Sequence, residues 1–349
     1  MRRSASHAHE GMLLKSLDLF AGAGGLSLGL HEAGWDTVAA LEYDPDAAET
    51  YRKNFPAVRV LQEDVHKVDF TQWKGAVDLV AGGPPCQPFS VAGNQRAAED
   101  PRDCIPQFIR AVREAQPRFF LMENVFGLMA TRHEPYLDST LASLRDLGYT
   151  VRAAVLDAAD FGVPQHRRRL FVLGAKDAIP DFPTPTHGQQ GHKPYLTAGE
   201  ALKDAPADVP NKAKVTYAKA PILRPSPYAG MLVNGGGRPI NLAEPSQTMP
   251  ASAGGNRTHI VDPDGVLLAY HTHLVSGGKA RTGVVKGVRR LTVRESARLQ
   301  SFPDTFEFYG KQSARYRQVG NAVPPLLAQA VGTALVQLAE GKANASQVA

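Results

Sequence analysis

One short stretch of the chain could present a nucleophile from a stiffened loop. Residues 83–90 read Gly-Pro-Pro-Cys-Gln-Pro-Phe-Ser, and Cys86 is one of two cysteines among 349 residues. The prolines fix their own φ angles and restrict the residue that precedes each of them. A thiol held in this way could attack a carbon atom and form a covalent intermediate. A free cysteine is more often a small buried apolar residue. The rest of the chain must therefore decide whether Cys86 is a nucleophile or a structural residue.

A glycine-rich turn offers a site for a ligand that contains an adenosine ribose. Residues 18–25, Asp-Leu-Phe-Ala-Gly-Ala-Gly-Gly, follow a predicted strand and open a predicted helix, where glycines let a ligand approach the backbone. Glu42 ends the next predicted strand and can accept from ribose hydroxyls, and Asp64 is suited to an adenine amino group. Position 27 is Ser, so the turn lacks the third glycine of a dinucleotide motif. The turn alone does not decide whether the ligand is NAD or S-adenosylmethionine.

The elements that must position these groups alternate between strands and helices, which predicts an α/β fold with a parallel sheet covered on both faces. Glu123 and the run Gln165-His-Arg-Arg-Arg169 follow or precede strands of that sheet, so we expect them to meet Cys86 at one sheet edge. We predict strands at 13–20, 37–42, 58–62, 77–82, 119–123, 150–157 and 170–174, and helices at 26–33, 45–54, 105–116 and 135–147.

Beyond residue 180 the chain becomes rich in Pro, Gly, Ser, Thr and Asn, which predicts a smaller, loop-rich β domain up to about residue 286. Thr292-Val-Arg-Glu295 then predicts a capped helix through about residue 300, and residues 325–338 predict another. Six basic residues lie within an acid-free run and are candidate phosphate contacts or simply a solvated surface: Lys279, Arg281, Lys286, Arg289, Arg290 and Arg294.

Composition sets the broad class of the protein. The chain is 43% hydrophobic and 21% charged with a net charge of +5, which is typical of a globular protein. Two cysteines provide neither a disulfide framework nor a four-cysteine zinc cluster, which favours a reducing compartment. We found no signal peptide and no run of roughly 18 uninterrupted apolar residues. We therefore expect a cytoplasmic protein that uses no membrane.

Six motifs, in order and over nearly the whole chain, resemble the DNA (cytosine-5)-methyltransferase family of the bacterial or phage modification type. They are the turn at 18–25 with Glu42, the Cys86 loop, Glu123-Asn-Val125, Gln165–Arg169, the stretch 290–304 and Gln318-Val-Gly-Asn-Ala-Val-Pro-Pro325. The resemblance implies a Rossmann-like, S-adenosylmethionine-dependent sheet with a smaller loop-rich β target-recognition domain. It places residues 1–185 and 305–349 in the large domain and 186–304 in the small one.

The resemblance also implies a reaction. Cys86 would add to carbon 6 of a cytosine flipped out of double-stranded DNA, and carbon 5 would take the methyl group. Glu123 would donate a proton to nitrogen 3, and Asn124 would orient the loop or the exocyclic amine. Arg169 would contact oxygen 2 and Arg167 the Cys loop and a phosphate, although the division between the two arginines stays open. Water would remove the carbon 5 proton.

The same resemblance implies a set of ligands and partners. S-adenosyl-L-methionine would be converted to S-adenosyl-L-homocysteine without a metal, and the enzyme would act as a monomer on DNA, with a cognate restriction endonuclease possible in the cell. From the residues themselves, two glycine-containing stretches, 234–238 and 252–257, are candidate DNA-reading loops or plain surface loops, and in them Arg238, Asn256 and Arg257 could contact base edges or phosphates. Ser90 is a further candidate DNA contact, and residues 90–96 are a candidate mobile lid. The cofactor would be bound by Asp18, Phe20, Gly22, Gly24, Gly25, Glu42, Tyr43, Asp64, Val65, Pro85, Ile105 and Asn321.

Three alternative functions remain at this stage. An RNA cytosine-5 methyltransferase would use the same scaffold, but relatives that act on tRNA typically carry Thr where this chain has Ser90. An NAD-dependent oxidoreductase would explain the glycine turn and Glu42 but not Cys86 and Glu123. A non-catalytic DNA-binding module would leave Cys86, Glu123 and the glycine turn without a purpose.

Overall fold

The computed structural model describes residues 14–85, 103–188, 192–250 and 254–341. Cys86, Ser90 and the candidate lid at 90–96 lie outside the described residues, as does the start of the candidate reading loop 252–257.

The described residues form one large sheet of seven strands, with strand order β3-β2-β1-β4-β5-β7-β6. The five strands from β3 to β5 run parallel, which confirms the predicted α/β fold. The last two strands run antiparallel, β7 against both β5 and β6, so the sheet is mixed rather than wholly parallel as predicted. The strands are β1 (Leu14–Leu19), β2 (Trp35–Leu41), β3 (Arg59–Leu61), β4 (Leu79–Gly82), β5 (Phe119–Val125), β6 (Thr150–Asp157) and β7 (Arg168–Ala175).

Helices cover both faces of this sheet because each buries an apolar stripe. Helix α3, which begins at Ile105, packs Phe108 against Phe120 of β5 on one face. On the other face α1 packs against the last helix of the chain, and Trp35 donates to the carbonyl of Gly332 at 3.0 Å. The helices are α1 (Gly25–Glu32), α2 (Pro45–Asn54), α3 (Ile105–Ala115), α4 (Glu134–Asp146), α5 (Ala198–Leu202), α6 (Val266–Val275), α7 (Val293–Leu299), α8 (Gln312–Asn321) and α9 (Pro325–Ala339).

The segment after β7 is loop-rich, as its composition predicts, and carries two two-stranded sheets. These pair β8 (Tyr217–Ile222) with β9 (Met231–Val233) and β10 (Ile260–Val261) with β11 (Arg289–Arg290). Helix α6 lies in this segment and was not predicted. The capping box predicted at Thr292 is confirmed, with Glu295 as its partner. The division into domains at residues 186 and 305 stays a prediction.

By length and composition alone, one described helical run, Gln312–Ala339, is long and apolar enough to cross a membrane. Half of its apolar window is buried inside the protein. Within it Leu327, Val331 and Leu335 of α9 belong to the core beneath the sheet, which is the typical place of a core helix.

Candidate active site

The glycine-rich turn leaves β1 in a conformation that glycine permits and that packing then fixes. Gly22 and Gly24 have φ angles of 56° and 94°. A Cβ on Gly24 would lie 2.5 Å from the Phe55 ring, and one on Gly25 would lie 2.4 Å from the carbonyl oxygen of Val323. Nothing lies within 4 Å of such an atom on Gly22. The turn is therefore closely packed at Gly24 and Gly25 and open at Gly22, where its backbone can contact a ligand.

Glu42 lies across from this turn and is held by backbone donors. Its Oε2 accepts from the amide of Gly22 at 2.7 Å and its Oε1 from the amide of Asp44 at 2.7 Å. Burial raises the pKa of the Glu42 carboxyl, and the hydrogen bonds from Asp44 and Gly22 oppose that rise. Each carboxylate oxygen has a second lone pair, so the group can still accept from a ligand hydroxyl.

Asp18 is a buried carboxyl beneath the turn. Its Oδ2 accepts from Ser27 Oγ at 2.5 Å, and Ser27 Oγ in turn accepts from Tyr51 OH at 2.5 Å. Its Oδ1 is buried without a hydrogen-bond partner among the described residues. Burial, opposed by the Ser27 hydrogen bond and assisted by the charge of Glu42, raises the pKa of Asp18 to about 7.

Asp64, a third carboxylate, and the apolar side chains around it form another wall of the site. Asp64 Oδ1 accepts from the backbone and the ring Nδ1 of His66, at 3.0 and 2.7 Å, and these bonds lower the pKa of Asp64. Val65 is buried beside it. Ile105 is fully buried behind the wall, where Cys104, the residue before it, faces the cleft. Burial raises the pKa of the Cys104 thiol to about 11, which is typical of a structural rather than a reactive cysteine.

The C-terminal motif returns to the glycine turn, as the resemblance predicted. Gln318 of α8 accepts from Thr50 of α2 at 2.7 Å, and Val323 packs on Gly25. Asn321, the last residue of α8, is exposed to the cleft. Residues far apart in the chain thus form one wall of one site.

The base of the Cys86 loop is tied to its surroundings through backbone oxygens. Asn124 Nδ2 donates to the carbonyl of Pro84 at 3.1 Å, and the amide of Cys104 donates to the carbonyl of Pro85 at 3.0 Å. A Cβ on Gly83 would lie 2.9 Å from Glu123 Oε2, so a larger residue here would displace this carboxyl. These contacts fix the direction in which the chain leaves Pro85.

Glu123 and Arg169 form a buried ion pair at the ends of β5 and β7. Arg169 Nε lies 3.0 Å from Glu123 Oε1, and only 13% and 11% of the two side chains are exposed. Burial raises the pKa of Glu123, while Arg169 and Arg167 oppose the rise. Because the burial effect is the larger, Glu123 can hold a proton more readily than an ordinary carboxyl.

Arg167 is a buried connector rather than the phosphate ligand predicted. Its side chain is 1% exposed, and it donates to the carbonyls of Met249 at 3.2 Å and Gly320 at 2.8 Å. Burial and the nearby Arg169 lower the pKa of Arg167. A side chain enclosed in this way has no surface for a DNA phosphate, because its two terminal nitrogens face protein carbonyls and its Nε is buried without a partner among the described residues.

These groups line one cleft with a volume of about 1070 Å³. Of the predicted cofactor residues, Gly24 and Ile105 lie behind the lining. The others line the cleft together with all three described catalytic candidates: Asp18, Phe20, Gly22, Gly25, Glu42, Tyr43, Asp64, Val65, Pro85, Asn321, Glu123, Arg167 and Arg169.

The two candidate DNA-reading loops pack on each other, away from the sheet. Asn234 Nδ2 donates to Asn256 Oδ1 at 3.2 Å, and Gly235 lies directly against Asn256. Arg238 is half-buried and Arg257 exposed; both line a second cavity beside the cleft.

Three arginines of the predicted basic run have partners within the protein. Arg290 is buried and donates to the carbonyls of Thr258 at 2.9 Å and Asn234 at 3.1 Å, so it anchors both candidate reading loops. Arg289 pairs with Glu295, and Arg294 donates to backbone carbonyls. Sequence reasoning therefore overestimated the number of cations available to DNA.

Two features of the cleft were missed. Arg317 of α8 lies 2.7 Å from Asp44, the N-cap residue of α2, and both line the cleft. The stretch Thr248-Met-Pro250 also lines it, and Gln165 Oε1 accepts from the amide of Met249 at 3.2 Å. Neither had a local signal, although Arg317 directly precedes a motif that was recognised. Among the described residues, no group of three His, Cys, Asp or Glu side chains could hold a metal ion.

Comparisons with known proteins agree with one another. A family model described as C-5 cytosine-specific DNA methylase matches residues 14–337. The Type II methyltransferase M1.HphI of Haemophilus parahaemolyticus is 38% identical, over 94% of this chain and 88% of that protein. M.XorII of Xanthomonas oryzae pv. oryzae is 35% identical, over 90% and 83%.

Solved structures share the fold. A protein described as a prophage-encoded DNA modification methyltransferase (E. coli) superimposes with a TM-score of 0.65 at 24% identity, over 94% of this chain and 99% of that one. A DNMT2 variant from Spodoptera frugiperda gives a TM-score of 0.68 at 18% identity, over 93% and 99%.

Proposed function

Because the chain belongs to the family of C-5 cytosine-specific DNA methylases, we propose that it methylates carbon 5 of a cytosine flipped out of a specific double-stranded DNA sequence, through a covalent bond from Cys86. The observation that carries this proposal is the buried Glu123–Arg169 pair directly beside the base of the Cys86 loop, in a cleft shared with the glycine turn. An acid and a cation thereby lie beside Gly83, three residues before the proposed nucleophile.

The cleft suits S-adenosylmethionine better than a dinucleotide. Glu42 can accept from a ribose and Asp64 from an adenine amino group, while Asp18 has a buried oxygen without a partner. Asp44 and Glu63 also line this end. Five carboxyls favour a ligand with cationic groups and disfavour the two phosphates of NAD. When bound, S-adenosylmethionine would supply a methyl group on a positively charged sulfur.

The side chains of the cleft divide the chemistry among them. The Cys86 thiolate would add to carbon 6, and Glu123 would give its proton to nitrogen 3 as electron density moves into the ring. Arg169 would stabilise charge at oxygen 2. Carbon 5 would then take the methyl group, whose bond to the donor sulfur breaks with its electrons staying on that sulfur. The proton on nitrogen 3 would return to Glu123, water would remove the carbon 5 proton, and the Cys86–carbon 6 bond would break with its electrons returning to the Cys86 sulfur. Asn124 would orient the loop through Pro84.

DNA would be bound by both halves of the molecule. A cytosine must leave the duplex to reach the cleft, at a cost of a few kcal/mol. We assign residues 186–304 to a target-recognition domain, with Arg238, Asn256, Arg257 and Ser90 as DNA contacts. We further propose a cytoplasmic enzyme that binds DNA as a monomer, needs no metal and belongs to a restriction-modification system with a cognate endonuclease.

Covalent trapping tests the mechanism directly. The wild-type protein with S-adenosylmethionine and a pooled duplex library containing 5-fluorocytosine should form a denaturant-resistant protein–DNA adduct, because fluorine cannot leave as a proton does. Cys86→Ser should form none and should bind S-adenosylmethionine unchanged. An adduct formed equally well by Cys86→Ser would contradict the assignment of the nucleophile. Methylation of RNA rather than DNA would support the alternative substrate.

A further inference from the structure

Two polar side chains that the chemistry above does not use, Asp103 and Tyr136, meet near the start of α3. Asp103 is 6% exposed, and Tyr136 is half-buried in the first turn of α4. The Tyr136 hydroxyl donates to Oδ2 of Asp103. A carboxyl buried to this extent is costly unless donors face it, so the contact with Tyr136 helps to hold Asp103 where it is.

Asp103 in turn holds the first residues of α3. Its other oxygen, Oδ1, accepts from the amide of Ile105 at 3.1 Å. Ile105 and Phe108 are fully buried in the core, so the helix begins at a fixed place. Cys104 lies between Asp103 and Ile105, and its backbone amide donates to the carbonyl of Pro85 at 3.0 Å. The two hydrogen bonds of Asp103 therefore fix the direction of the donor that Pro85 receives.

The carbonyl of Pro85 belongs to the peptide unit that leads to Cys86. Because a peptide unit is planar, the direction of this oxygen also determines the direction of the bond to the next residue. The carbonyl of Pro84 accepts from Asn124 Nδ2 at 3.1 Å, and the ring of Pro85 fixes its own φ. The direction in which the chain leaves Pro85 thus depends on two donors, Asn124 and Cys104.

Both anchors come from one stretch of chain, residues 124–136, which directly follows Glu123. Leu128 is fully buried in the core on this stretch, and the ring of Tyr136 packs against the same core. Packing therefore aims the Tyr136 hydroxyl at Asp103, while Asn124 faces Pro84 from the end of β5. The proposed proton donor and the two anchors are carried by one continuous segment.

We propose that Tyr136 is a positioning residue for the nucleophile: through Asp103 and the amide of Cys104, it sets the direction of the peptide that joins Pro85 to Cys86. This inference rests on the proposed function, because Cys86 is a nucleophile only if the enzyme forms the covalent intermediate. Neither Tyr136 nor Asp103 is among the described residues that line the cleft. Tyr136 therefore affects the rate of covalent bond formation and not the binding of either ligand.

Tyr136→Phe keeps the ring and removes only the hydroxyl. With saturating S-adenosylmethionine and 5-fluorocytosine duplex, its single-turnover rate of adduct formation should fall by about 10- to 100-fold. The affinities for the duplex and for S-adenosylmethionine, measured separately, should stay unchanged. A wild-type rate in this variant, or a loss explained by weaker binding of either ligand, would overturn the proposal.

Tyr149→Phe is the matched control. Tyr149 belongs to the same core cluster, and its hydroxyl donates to the carbonyl of Pro117 at 2.7 Å, before β5 begins. Its loss should lower the free energy of unfolding in urea but leave the rate of adduct formation as in the wild type. An equal loss of rate in the two variants would show a general effect of the core and would count against a positioning role.

The route through Asp103 is tested by Asp103→Ala and by the double variant Asp103→Ala/Tyr136→Phe. If Tyr136 acts through Asp103, the double variant should form the adduct no more slowly than Asp103→Ala alone. The effects of two independent residues would instead multiply. Multiplied effects would therefore contradict this route.

Hydrogen exchange measured by mass spectrometry provides an arm that needs no catalysis. In Tyr136→Phe the amides of Cys104 and Ile105 should exchange several-fold faster than in the wild type, whereas those of β5 should not change. Unchanged exchange at these two amides would overturn the proposal even if the adduct rate fell. A wild-type protein that binds S-adenosylmethionine but forms no adduct would refute the proposed function, and the exchange rates would still decide whether Tyr136 fixes this turn.

Discussion

Asp18→Asn should stabilise the folded protein at neutral pH, and the gain should depend on pH in a defined way. In the folded state burial raises the pKa of Asp18 from its usual 3.8 to about 7. Between these two values the folded protein holds a proton that the unfolded chain has lost. The stability of the wild type therefore falls as pH rises from about 4 to 7.

The size of the change in stability follows from the difference between the two pKa values of Asp18. Each unit of pH across it is worth about 1.4 kcal/mol, so the ionised carboxyl costs up to about 4 kcal/mol above pH 7 and nothing below pH 4. Asparagine can still accept from Ser27 and carries no charge. The difference in the free energy of unfolding between Asp18→Asn and wild type should thus grow from near zero at pH 4 to its maximum near pH 7.

Urea unfolding at half-unit steps from pH 4.5 to 8 measures this difference. Asp69→Asn is a control of opposite sign, because hydrogen bonds from Thr71 lower the pKa of Asp69, so its contribution is present at neutral pH and is lost on acidification. A stability difference for Asp18→Asn that does not change with pH would refute the reasoning. The variant should also bind S-adenosylmethionine more weakly, as measured by calorimetry.

Three further changes test other parts of the structure. Gly29→Ala would bring a Cβ within 2.3 Å of the carbonyl oxygen of Pro325, so it should lower the free energy of unfolding by about 1–3 kcal/mol in urea; Gly127→Ala, with nothing within 4 Å, should change it little. Asn124→Ala removes the donor to Pro84 and should slow 5-fluorocytosine adduct formation by at least about tenfold. The affinity for S-adenosylmethionine, measured by calorimetry, should stay unchanged. Equal rates of adduct formation in variant and wild type would contradict the orienting role of Asn124. Exchanging residues 187–289 for those of a relative should change which sequence is methylated, as read by bisulfite sequencing, and an unchanged target would exclude this segment as the recognition domain.

The fold and the cleft were largely predictable because their signals are local. Alternating apolar runs gave the seven strands, and the turn at 18–25 and Glu42 follow strand ends that must meet at one sheet edge. The reversal of the last two strands was not predictable from periodicity, which reports burial rather than direction. Helix α6 was not predicted because the side chain that accepts from its first amides does not stand directly before it. Asp262 accepts from the amides of Val266 and Leu267.

The roles of the arginines could not be predicted, because burial of a cation depends on where distant segments meet. Arg167 and Arg169 lie two residues apart at the start of β7, yet the side chain of Arg167 donates to distant backbone carbonyls and that of Arg169 faces Glu123. The partners of Arg167 lie 82 and 153 residues further along the chain. Arg290 is buried for the same reason, since Asn234 and Thr258 reach it from two separate loops.

The backbone contacts of Arg167 have a consequence for how an enzyme of this family could change its target sequence. The guanidinium holds the segment through the backbone oxygen of Met249, and Gln165 holds it through the backbone amide of the same residue. Neither contact reads a side chain. Substitutions of side chains around Met249 can therefore leave both of these contacts intact. On the assignment of residues 186–304 proposed above, a change of target sequence need not disturb the contacts that hold this segment against the cleft.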